Sequence, residues 1–178
     1  RSFVKVCAGT VIAAACSEGR QARAGPITAH APARLLRADG SPLKAADVPP
    51  DEALVFAYPY RGVPCFLIRL GTSAHLPATL VSPDDGSYAC PPAVGPGARL
   101  VAFVAICPHQ LSYPTPEVSV IRYASAASPV AAAPGRIVCC AHGSVYDPAA
   151  GAVRVSGPAP GPLLPVRLDY DADTDGIT

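Results

Sequence analysis

The sequence carries almost no surplus of either charge: 14 Lys and Arg stand against 13 Asp and Glu. Without a basic stripe there is no electrostatic footprint for nucleic acid, and no such partner is expected. Uninterrupted helix-forming stretches are also missing. With 22 Pro and 15 Gly in 178 residues, fixed φ angles and absent amide donors break helices through most of the chain. The remaining Val, Ile, Leu, Tyr and Phe gather in short runs of strand length, which predicts an all-β chain with many loops. A long hydrophobic span is lacking too. The apolar run from Phe3 to Cys16 has roughly 14 residues, short of the ~20 that cross a bilayer as a helix. Cysteine is present but odd in number, seven in all, so the compartment is read from the amino terminus instead.

That terminus has the layout of an export signal. Arg1-Ser2-Phe3-Val4-Lys5 precedes the apolar run, and the small-x-small triplet Ala22-Arg23-Ala24 follows it. Residues 1–24 are therefore read as a signal or membrane anchor, with Cys16 in the weak lipobox Ala13-Ala14-Ala15-Cys16 as a candidate for acylation. Residues 25–50 have no sustained period and read as a linker running into an arm. Residues 51–178 form one domain. Within it, Leu54, Phe56 and Tyr58 alternate with Val55 and Ala57, turn at Tyr60-Arg61-Gly62-Val63, and pair with the run 64–69 as a hairpin. Further strands are expected at 100–106, 118–123, 136–138, 145–146, 153–155, 163–168 and 176–177, and the acidic stretch 169–175 reads as a solvated turn.

The chemistry gathers in two short segments. Cys107-Pro108-His109 is C-x-H, and Cys139-Cys140-Ala141-His142 is C-x-x-H, continued by Gly143-Ser144-Val145-Tyr146-Asp147. Each segment offers one thiolate and one imidazole, with Pro108 and Gly143 supplying stiffness and freedom for sharp turns. Two metal centres fit such a set. A single zinc ion takes a tetrahedral S2N2 shell, whereas a [2Fe–2S] cluster with two His on one iron and two Cys on the other needs one ligand of each type from each loop.

Together with Gly157-Pro158-Ala159-Pro160, these segments resemble the Rieske iron–sulfur family, the resemblance running from Arg99 to about Asp169. It implies an antiparallel β-sandwich with a small cluster-binding subdomain and a [2Fe–2S] cluster held by Cys107, His109, Cys139 and His142. Ser144 and Tyr146 match the hydroxyl pair of the high-potential members. There the serine donates to a bridging sulfide and the tyrosine to a cysteine sulfur, which favours the reduced cluster and raises its potential. The exposed imidazole nitrogens imply proton release coupled to oxidation. Arg1-Ser2-Phe3-Val4-Lys5 also looks like the second half of a twin-arginine motif, implying export of the folded protein to the periplasmic side of a bacterial inner membrane.

Two departures stand out. Quinol-oxidising members clamp their loops with a disulfide whose cysteines would fall at Ser112 and Ala141, and the position after the first ligand His is usually Leu where this chain has Gln110. Cys140 with Cys90 is the candidate substitute bond. The segment 110–138 is longer than the family leads one to expect and reads as a surface excursion or a subunit contact. The first functional reading is a Rieske electron-transfer subunit of a membrane-associated respiratory or photosynthetic complex, not catalytic alone. It would pass single electrons from a quinol or a catalytic subunit to a c-type cytochrome, with a cytochrome b-like or other membrane redox subunit as a further partner. The rivals are the small Rieske subunit of a molybdenum oxidase of the arsenite oxidase type and a zinc-stabilised interaction module.

Overall fold

A computed structural model describes residues 30–82, 86–111 and 120–178 of the chain. The apolar amino-terminal run, the cleavage triplet and the lipobox lie outside them. The only helical pieces among the described residues are the 3-10 turns Ala45–Asp47 and Pro148–Ala150. Among the same residues no helix is long and apolar enough to cross a membrane.

The base of the fold is a sheet of β1 (Ala53–Ala57), β2 (Pro64–Arg69), β5 (Leu100–Val104) and β10 (Pro165–Val166), in that order and antiparallel throughout. Its central strands are apolar at successive positions because both faces are covered. Phe66, Ile68, Val101 and Phe103 point into one core, while Leu67, Leu100 and Ala102 point into a second core with Ala45, Val48, Leu168 and Ile177. A second sheet is the meander β6 (Ile121–Ala124), β7 (Arg136–Cys139), β8 (Ser144–Asp147) and β9 (Val153–Ser156). Ile121, Ile137, Cys139 and Tyr146 join Phe66 and Phe103 in the first core, so that core fastens the second sheet to the base. Two hairpins complete the chain: β3 (Thr79–Val81) with β4 (Ser87–Ala89), and β11 (Tyr170–Asp171) with β12 (Gly176–Ile177).

The expected hairpin forms as β1 and β2, with a cis peptide at Tyr58-Pro59 in its turn. The linker reading of 25–50 holds less well. From Leu35 onward the chain is packed: Leu35 N–H reaches the Ile177 carbonyl at 3.4 Å, and the Ala45 amide donates to the Asp175 carbonyl at 2.9 Å. Val48 is fully buried. Ala45 and Val48, one 3-10 turn apart, are too few to show a period, yet together they seal the second core under Leu67 and Leu100. The domain therefore begins well before residue 51. The acidic stretch 169–175 is likewise partly strand, because Asp175 caps the Ala46 amide and accepts from the Tyr170 phenol, both at 2.9 Å.

Candidate metal centre

The second loop is the turn of the β7–β8 hairpin. Register pairs Ile137 with Tyr146, Val138 with Val145 and Cys139 with Ser144, leaving Cys140 to Gly143 as the turn. Gly143 adopts φ +75°, and its N–H closes the turn on the Cys139 carbonyl at 2.8 Å. A β-carbon resists that left-handed backbone, so glycine is what the turn requires. Strand pleating then sorts the side chains by depth: Cys139 shares the inward face with Ile137, while Cys140, Ala141 and His142 are exposed at the tip.

The first loop leaves the end of β5. The Ala105 amide donates to the Pro64 carbonyl at 2.8 Å, and Cys107 follows with no exposed surface. A turn from Pro108 to Leu111, with Leu111 at φ +51°, carries His109 back over the second loop. The two imidazole rings meet edge to face, centroids 4.8 Å apart at 81°. Below them the Cys139 thiol hydrogen-bonds with the Cys107 sulfur, and its ionisation is pushed up first by burial and then by that neighbour.

Sulfur is thus paired with sulfur and imidazole with imidazole. His109 Nδ1 is buried without a hydrogen-bond partner. A buried polar nitrogen left unsatisfied costs about 1–3 kcal/mol, so this atom is placed for a ligand. The donor set fits a two-iron cluster with sulfur on one iron and nitrogen on the other.

The hydroxyl pair is also in place. Tyr146 is fully buried with its phenol oxygen 3.2 Å from the Cys107 sulfur. Burial first, then the Cys107 sulfur, push its ionisation far up, so the proton stays on the phenol. Ser144 Oγ accepts the Ala159 N–H at 3.1 Å, and its own O–H is engaged with the Tyr146 phenol.

Sequence reading missed how the third segment is anchored. Gly157 sits at φ +89°, and a β-carbon there would come within 2.5 Å of the Gly143 carbonyl oxygen and the Ser144 Cα. The segment from Gly157 to Pro160 therefore lies directly on the second loop, tied back by Arg154 Nη1 to the Gly157 carbonyl at 2.9 Å. The Gly-Pro-Ala-Pro pattern signals a stiff turn, but not what it touches. Arg136 and Asp147 were missed as well. Their 3.0 Å ion pair bridges the base of the ligand hairpin.

The Cys90–Cys140 bond does not form, as both thiols are free. Cys90 N–H is bound to the Ala78 carbonyl at 3.1 Å, and its sulfur faces Gly151, while Cys140 is at the exposed loop tip. Of the two clamp positions, Ala141 is exposed in the turn and Ser112 lies outside the described residues.

The described residues form antiparallel sheets, on which a ligand hairpin and a facing loop pair two thiols and, beside them, two imidazoles. Among solved structures, the chain is similar to the soluble domain of the Rieske protein II (soxF) from Sulfolobus acidocaldarius, with 30% identity and a TM-score of 0.49. The match covers 70% of this chain and 65% of that one. No protein-family model and no curated protein matches the chain.

Proposed function

We propose that the chain is a Rieske electron-transfer protein that holds a [2Fe–2S] cluster, with Cys107 and Cys139 on one iron and His109 and His142 on the other. The single observation that carries this reading is the depth-sorted donor set, in which buried sulfurs pair below paired imidazoles and His109 Nδ1 is left without a partner. When bound, the cluster supplies a one-electron couple. The protein's own residues do the rest. Tyr146, hydrogen-bonded to Ser144, would present its O–H to the Cys107 sulfur and so favour the reduced form, Ile121 and Ile137 keep water from that side, and the His109–His142 pair forms the rim at which a partner would exchange electrons.

The partners follow from this reading: a quinol or catalytic subunit as donor, a cytochrome b-like or other membrane redox subunit as scaffold, and a c-type cytochrome as acceptor. The protein acts on the periplasmic side of a bacterial inner membrane, carried there by the twin-arginine-type segment. The small subunit of a molybdenum oxidase of the arsenite oxidase type is the second reading. It is favoured by the free thiols of Cys90 and Cys140 and by Ala141 at a clamp position. Purification after mild solubilisation separates the two, through a c-type cytochrome or a molybdenum subunit in the same fraction. Iron and acid-labile sulfide analysis with electron paramagnetic resonance tests the cluster itself. A preparation with zinc and no labile sulfide rejects it.

A further inference from the structure

Without a disulfide, something else must hold the ligand hairpin, and the segment between the two ligand loops meets it on one edge and one face. Along the edge, β6 pairs with β7 from Ala124↔Arg136 to Ile121↔Cys139. The ladder then continues past the ligand, because the Cys140 N–H donates to the Val120 carbonyl at 2.6 Å. Cys139 is therefore flanked on both sides, by Ile121 on β6 and by Ser144 on β8. Backbone pairing on both edges restricts a strand far more than a hairpin's single ladder.

On the face turned away from the sulfurs, Val138 and Val145 would be open to water but for the same segment. Ala124 and Ala131 close over them as a small separate core. Ala131 is 3% exposed, and Ser128 fixes it: the Ala131 N–H donates to both Ser128 Oγ and the Ser128 carbonyl at 3.1 Å, and the Ser128 N–H donates to the Ala131 carbonyl at 2.8 Å.

We propose that this segment is the non-covalent clamp of the second ligand loop, with Val120, Ile121 and Ala131 as positioning residues for Cys139 and His142. The proposal rests on the reading that those two residues are ligands. It assigns a task to residues that a surface excursion would leave idle, and it makes ligand geometry independent of thiol redox state.

The test uses the full chain as isolated, with Ala131→Asp, which puts a carboxylate into the small core, and Ser128→Ala, which removes one hydrogen bond and is mild enough to fold. Hydrogen exchange followed by mass spectrometry compares the peptide spanning 136–147 with those spanning 64–69 and 100–104. In Ser128→Ala, which keeps the Ala131 amide bonded to the Ser128 carbonyl, the ligand-hairpin peptide is expected to exchange a few-fold faster, with the base-sheet peptides unchanged. Ala131→Asp gives a larger effect in the same place. In the iron-loaded protein both variants shift the paramagnetic resonance g-values and shorten cluster lifetime under an iron chelator, while a phosphine reductant alone leaves the wild-type lifetime unchanged. Unchanged hairpin exchange in Ser128→Ala overturns the proposal, as does a wild-type cluster released by the reductant. If the protein isolates without iron and sulfide, the cluster reading fails, and the exchange comparison still decides the clamp.

Discussion

Tyr146→Phe removes one oxygen from a buried site and little else. The ring remains wedged in the core that holds Phe103, Ile137 and Cys139, so packing is nearly conserved and the lost interaction is the contact of 3.2 Å to Cys107. With Cys107 as a metal-bound thiolate, only the phenol can donate. A donor to sulfur stabilises the more electron-rich, reduced form, so its loss lowers the midpoint potential. Taking the bond at about 1–1.5 kcal/mol, and about 59 mV per tenfold for a one-electron couple, the expected fall is roughly 40–65 mV. The measurement is a redox titration of the loaded protein followed by paramagnetic resonance. Tyr123→Phe is the control, because its phenol on β6 bonds to Asp51 instead of a ligand sulfur and should leave the potential unchanged. An unchanged midpoint in Tyr146→Phe with full cluster content, or an equal shift in the control, refutes the assignment of the phenol as a donor to the ligand.

Ser144→Ala leaves the Ala159 N–H without its acceptor; thermal unfolding should show a loss of about 1–3 kcal/mol, accompanied by a lower midpoint potential. Gly157→Ala forces a β-carbon against the Gly143 and Ser144 backbone at a left-handed φ of +89°, where the conformation alone costs about 1–2 kcal/mol. A lower melting temperature and reduced iron content per chain are expected, and a variant matching wild type in both measures counts against the close packing of this segment. In thiol labelling of the native protein near pH 8, exposed Cys140 should react without reductant. Cys65 should react only after unfolding, since it is fully buried and burial pushes its thiol pKa up to about 11, leaving little of the thiolate that reacts.

Strands were legible in the sequence wherever one short apolar run sits between turn residues, as at 64–69 and 136–138. They were misjudged where burial comes from both sides or from far along the chain. The run 100–106 forms strand only to Val104: the Ala105 amide still donates to Pro64 in ladder register, but Pro64 has no N–H to return the bond, and the chain leaves the sheet toward Cys107. The β3–β4 hairpin has too few apolar residues to announce itself, with Leu80 its one buried side chain. Ala45 and Val48 read as linker because nothing local marks them, and only the opposing Leu67 and Leu100 make them core. At the site, the spacing of the motifs identified the donor residues, while their depth and pairing depended on a strand register that no spacing encodes.

That register sorts the four donor residues by depth. In each loop the cysteine comes first, at or beyond the end of a buried strand, and the histidine follows two or three residues later, past a turn. The pleat carries Cys139 inward beside Ile137, and the exit from β5 carries Cys107 inward, so both thiols are fully buried. The turns at Leu111 and Gly143 then bring both imidazoles to the rim. On the proposed reading, the two sulfurs make one donor pair and the two imidazoles the other. With Tyr146, Ile121 and Ile137 sealing the sulfur side, the imidazole side is the one a partner can approach. Residues flanking it at the loop tips, Gln110, Leu111 and Ala141, are exposed and uncharged. On the proposed electron-transfer reading, a partner docking on these uncharged side chains is expected to associate with only weak dependence on ionic strength.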